Sequence, residues 1–133
     1  CIYFKANADR GGFIENVRVR RVQIDLSRAG VIRFETNYHS YRGGHAPTAY
    51  RDFVIEDVIC KDATNYAVFA EGTDEAPIEQ VLLRNVTVAR ALEPLYLRNA
   101  AAFRFENVRI NGRELPEYPP ATPPGAKKLE IRL

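Results

Sequence analysis

The chain has 133 residues, a formal net charge of +2, 46% apolar residues and 27% charged ones. One domain of this size carries enough apolar material for a continuous core. Acids and bases are interspersed, so the charge gives no nucleic-acid or polybasic membrane footprint, and no run of about eighteen apolar residues predicts a membrane-spanning helix.

The chain opens on Cys1-Ile2-Tyr3-Phe4-Lys5, with no initiator Met and no signal peptide before it. That start suits a fragment, a processed product or an engineered chain. Alternation of Ile2 and Phe4 with Tyr3 and Lys5 predicts a strand. Residues 6–13, with Gly11-Gly12, form a turn. The segment from Val17 to Ile24 reads as two short strands joined at a corner. A second turn, Ser27 to Gly30, leads to Val31-Ile32-Arg33-Phe34-Glu35, and a long loop covers 36–50. That loop holds both histidines and three tyrosines, which makes it a candidate binding loop. Cornered strands recur at 53–60, 81–88 and 103–110. Single strands recur at 67–71 and 94–98, with connections at 61–66, 72–77, 89–93 and 99–102.

The single strands are copies of one pattern. Their second and fourth positions are apolar: Ile2 and Phe4, Ile32 and Phe34, Val68 and Ala70, Leu95 and Leu97. Their fifth is charged: Lys5, Glu35, Glu71 and Arg98. The copies start at 1, 31, 67 and 94, a spacing that signals a solenoid. The cornered blocks repeat too, with apolar first, third, sixth and eighth positions. A polar pair between two alternating runs puts a bend on the outside. Asp57, Asn85 and Asn107 suit left-handed backbone there, and Arg21 departs from that pattern.

The expected fold is therefore all-β: a right-handed parallel β-helix of about four coils at 1–112, closed by a Pro-rich cap with a final strand at 113–133. An antiparallel sandwich is the rival reading of regular short strands. Hairpin signals between adjacent strands are missing, since Asn111-Gly112 follows the last copy. The N-terminal coil shows no cap and would expose strand edges, so a symmetric homodimer through that coil is expected. Cys60 falls in the inward column of Ile24, Val88 and Ile110 and acts there as a small apolar residue. Cys1 lies at the chain end on another strand type, where it can be a free thiol, an attachment point or an intermolecular bridge.

The segment Cys1-Ile2-Tyr3-Phe4-Lys5-Ala6-Asn7, followed by Asp9-Arg10-Gly11-Gly12-Phe13-Ile14-Glu15-Asn16-Val17, resembles the C-terminal half of polygalacturonase-type glycoside hydrolases (family 28, the pectin-degrading parallel β-helices). His45-Ala46-Pro47-Thr48 before Tyr50-Arg51-Asp52-Phe53 resembles that family's Pro-rich loop. Asn85-Val86-Thr87 and Asn107-Val108-Arg109 resemble its Asn-Val corners. The resemblance implies a secreted or periplasmic parent acting on uronic-acid polysaccharide. It also implies a substrate carboxylate held by an Arg and a Lys. Lys5 matches the Lys, while Tyr3 stands at the Arg position. The family's catalytic Asn-Thr-Asp, Asp-Asp and Gly-His-Gly motifs do not occur, and Gly44-His45-Ala46 is the nearest approach.

The residues thus predict a structural, self-associating fragment without catalytic carboxylates. The alternative is a glycosidase or carbohydrate-binding module. Its candidate contacts are Lys5 and Arg33 for a uronate carboxylate, and Tyr3, Phe69 and Tyr96 for stacking on sugar rings. Glu35 and Glu71 complete the set as an acid pair in one outward column. Stacked coils are about 4.8 Å apart, nearer the carboxyl spacing of retaining than of inverting glycosidases. The plainer role of Lys5 is a surface ion pair with Glu35, worth at most about 1 kcal/mol. No cofactor is expected. His39 and His45, six residues apart without a Cys or carboxylate at ligand spacing, predict no metal.

Overall fold

The computed structural model describes residues 2–38, 45–100 and 102–119. It contains seven strands: β1 (Ile2–Lys5), β2 (Phe13–Ser27), β3 (Ile32–Glu35), β4 (Ala49–Glu71), β5 (Ile78–Arg98), β6 (Phe103–Ile110) and β7 (Arg113–Glu114). No helix occurs among the described residues. All strands belong to one sheet in the order β1-β3-β4-β5-β6-β7, with β2 also on β4. Every pairing is parallel except β6 with β7. The parallel ladder excludes the antiparallel sandwich.

Register follows the sequence repeat. Ile2 pairs with Ile32, Ile32 with Val68, and Val68 with Leu95. Val17, Phe53, Val81 and Phe103 form a second inward column; Val22, Val58, Val86 and Val108 form another. Each inward residue thus packs on its counterparts above and below. Phe34, Phe53, Ile55, Val58, Leu83, Val86 and Leu95 have no exposed surface. The core is also aromatic: Phe34 meets Phe53 edge to face at 4.9 Å and Phe4 at 5.1 Å. Cys60 lies in this core as a free thiol in the column of Ile24, Val88 and Ile110. Burial pushes its pKa up, which suits an inert apolar role.

The strands are longer than the sequence pattern suggests. β4 and β5 run through their corners, so 61–66 and 89–93 are strand rather than connection. Single residues in left-handed backbone make the bends. Asp57, Asn85 and Asn107 have φ of 57°, 51° and 53°, and Arg21 joins them at 59°. The bend is therefore set by register position in the ladder, and Arg21 adopts it despite its side chain. A further corner column, Asn16, Asp52, Gln80 and Ala102, is left-handed as well. Short amides then link neighbouring strands: Asn107 donates to Asn85 at 2.9 Å, and Asn85 to Asp57 at 3.2 Å.

The two ends differ. At the C-terminal end, β7 pairs with Arg109 and Ile110, the Leu115 amide bonds the Val108 carbonyl at 2.8 Å, and the Phe105 amide bonds Glu117 at 2.8 Å. Leu115 is buried. The described part of the expected cap, 113–119, thus covers β6. The expected final strand at 129–133 lies outside the described residues, as do Cys1 and 39–44. At the N-terminal end, among the described residues, β1 pairs only with β3 and β2 only with β4. There Ile2, Phe4, Ile14, Val17, Val19, Val22 and Ile24 are only partly buried.

Candidate functional site

The third and fifth positions of the short-strand copies point away from the core and form two adjacent columns. Register places Tyr3, Arg33, Phe69 and Tyr96 in one, and Lys5, Glu35, Glu71 and Arg98 in the other. The structure therefore assembles all seven sequence-predicted contacts on one face.

The first column is stacked along its length. The Arg33 guanidinium lies between two rings, 5.3 Å from the Tyr3 centroid and 4.5 Å from that of Phe69. Phe69 then stacks on Tyr96 at 4.8 Å with planes 7° apart, and Tyr66 packs against both. The faces of Phe69 that a sugar ring would use are already covered by Arg33 and Tyr96. Such stacked and cation–π pairs contribute about 0.5–1.5 kcal/mol each.

In the second column Glu71 and Arg98 pair with each other, while Glu35 is held by side chains of the first column. The Glu35 carboxylate accepts from the Tyr3 hydroxyl and from Arg33 Nε at 3.2 Å. Burial, then this bond, push the Tyr3 hydroxyl up from 10.0 to about 12. Glu71 accepts from Arg98 at 3.0 Å. Lys5 does not join Glu35; its ammonium sits 4.1 Å from the Tyr38 ring centroid. Both carboxylates of the possible acid pair therefore have cationic or hydroxyl partners.

Beside the second column lies a groove of about 450 Å³, formed where the chain turns away after each strand. Glu71, Arg98, Asn37, Asn99, Asp74, Glu75 and His45 line it. Gly72 shapes it. The Gly72 amide bonds the Arg98 carbonyl at 2.9 Å, and the Asn99 carbonyl accepts from Ile78 at 2.9 Å. A Cβ on Gly72 would fall on that Asn99 oxygen and within 3.1 Å of the Pro77 backbone. Thr73 Oγ1 then caps the Ala76 amide at 3.0 Å, which fixes the turn carrying Asp74 and Glu75. Across the groove, the Ala46 amide bonds the Ala8 carbonyl, and His45 Nε2 meets Glu75 Oε2 at 2.5 Å. The predicted binding loop thus contributes His45 and Asn37; its residues 39–44 lie outside the described set.

Asn37, Thr73, Asp74, Glu75 and Asn99 did not stand out in the sequence. The signal is a turn-forming residue after the charged fifth position, as in Glu71-Gly72 and Arg98-Asn99. Among the described residues, no group of three or more His, Cys, Asp or Glu side chains is arranged to hold a metal ion. The groove offers hydrogen-bond donors and acceptors to a polar ligand, with carboxylates outnumbering cations. The chain matches no protein-family model, no curated protein and no solved structure.

Proposed function

We propose that the coils stack as a right-handed parallel β-helix of the polygalacturonase type, and that the chain is a non-catalytic structural block that associates through its N-terminal edge. The parallel ladder and left-handed corners recurring at fixed registers support the β-helix. The association rests on one observation. Val17 and Val19 of β2 are only partly buried, whereas Phe53 and Ile55, one coil inward in the same columns, are fully enclosed. An unpaired parallel edge with exposed apolar residues favours addition of another strand, as in β-augmentation.

The test uses a soluble peptide of fifteen residues, the length of β2, with Val at inward positions and Thr at outward ones. Saturable binding, lost in Val19→Lys, is expected. No binding, together with a monomeric mass by light scattering at every concentration, would overturn the reading.

Arg98, which lines the groove and whose buried Nε lacks a hydrogen-bond partner among the described residues, favours a second reading, in which the same scaffold holds a uronate-bearing polysaccharide. Calorimetry with galacturonate oligomers tests it: saturable binding without turnover, weakened several-fold by Arg98→Ala, is expected. An absence of heat at millimolar oligomer would dismiss it.

A further inference from the structure

One motif of the sequence stands apart from the columns and the groove. Asn111-Gly112 joins β6 to β7, and both residues are left-handed, at φ 54° and 77°. Two such residues in a two-residue loop match the tight hairpin turn that Asn-Gly favours. The Asn111 side chain has a second task. Its Oδ1 accepts from the Ala91 amide at 2.7 Å, and its Nδ2 donates to the Ala91 carbonyl at 3.0 Å. β6 ends at Ile110, opposite Val88, whereas β5 runs on to Arg98. The carboxamide therefore stands in for the strand residue that Ala91 lacks on that side.

We propose that Asn111 is a deamidation site whose reaction irreversibly releases this clamp. Gly112 is the only glycine that follows an asparagine in the chain. Asn16, Asn85 and Asn107 precede valines, whose branched side chains crowd the following nitrogen. At Gly112 no side chain stands in the way, and a Cβ built there would meet nothing within 4 Å. Asn111 and Gly112 are both exposed, so water reaches the turn.

The Gly112 nitrogen gives up its proton to base and attacks Asn111 Cγ. The Cγ–Nδ2 bond breaks, and ammonia leaves with a proton from water. A second water opens the five-membered imide at either carbonyl, giving aspartate or isoaspartate. The clamp gates this reaction. Both polar atoms of the carboxamide are held by Ala91, so attack proceeds from a locally opened state. Neither product restores the clamp. A carboxylate oxygen in place of Nδ2 is an acceptor only, and it would face the Ala91 carbonyl. Isoaspartate adds a backbone carbon to the turn, which disturbs the pairing of β7 with Arg109 and Ile110 and the bond from the Leu115 amide to the Val108 carbonyl.

The test follows the tryptic fragment 110–113 by mass spectrometry while the full chain stands in mildly alkaline buffer. A gain of about one dalton, the exchange of NH2 for OH in a thermolabile asparagine, is expected in that fragment before any other. In urea the same conversion should run about tenfold faster or more, because the clamp is open. No gain in the folded chain, over a time that converts the unfolded chain fully, overturns the proposal, and so does earlier conversion of Asn85 or Asn107. Equal rates in folded and unfolded chains overturn the gate. Asn111→Asp supplies the aspartyl product directly. Its Ala91 amide should exchange with solvent about tenfold faster than in the parent chain. Circular dichroism checks that the variant folds, and an unchanged Ala91 amide overturns the release of the clamp.

Discussion

The two ends of the stack are built from the same columns and differ in what covers them. Val108 at the C-terminal end is fully enclosed because Leu115 and the backbone of 113–117 lie beside it. Val22, its counterpart in the same column at the N-terminal end, is only partly buried. Residue type is therefore a poor guide to energetic weight here; the number of neighbouring strands decides it. A strand with one neighbour in the ladder buries less of its inward face than a strand with two.

That comparison can be broken most forcefully in the middle. Phe53 sits between Val17 on one side and Val81 and Phe103 on the other, and is fully buried. Phe53→Ala should cost about 3–5 kcal/mol in urea unfolding. In the same column, Val17→Ala at the open end should cost under about 1 kcal/mol. Equal losses would mean that the edge is covered. Removing the cap comes next. Leu115→Ala should cost about 2–4 kcal/mol and expose Phe105 and Val108, read as a gain in apolar-dye fluorescence. Smaller again is the corner at the open end. Arg21 holds φ 59° without the benefit of a short polar side chain. Arg21→Asn should therefore gain about 1 kcal/mol in the same unfolding assay. Asn85→Ala, which breaks both links of the amide ladder, should lose about 1–2 kcal/mol.

The smallest expected effect is alkaline. The Tyr3 hydroxyl titrates at 10.0 when unfolded and is pushed up to about 12 in the folded chain. The folded state holds that proton more tightly. Its contribution is complete below pH 10 and is lost as pH rises towards about 12. Tyr3→Phe should remove this slope from a plot of unfolding midpoint against pH between those limits.

Much of the architecture was legible in the residues. Alternation at Ile2/Phe4, Ile32/Phe34, Val68/Ala70 and Leu95/Leu97 predicts the observed register, because inward positions of a parallel ladder must stack like on like. Corners were legible where Asp or Asn occupied them. The column of Asn16, Asp52, Gln80 and Ala102 was not, although Asn16 and Asp52 have the same chemistry, because Gln80 and Ala102 carry no left-handed signal and the repeat of the column is thereby hidden. Outward columns were also legible, and so was their membership in one face. What their side chains do was not. Arg33 fills the space between Tyr3 and Phe69, so an arrangement suited to a sugar is a stack closed on itself. The groove depends on Gly72 and on the turn at 73–76, three-dimensional features that no alternation encodes.

The central claim is that in this chain β2 is paired on one side and β6 on both, and native-state hydrogen exchange tests it most directly. In β2, about half of the amides should exchange rapidly, because they face away from β4, while the remainder are slow. In β6, the Phe105 amide, bonded to Glu117, should be among the slow ones. Uniform protection along β2, matching that of β4 and β5, would contradict the account.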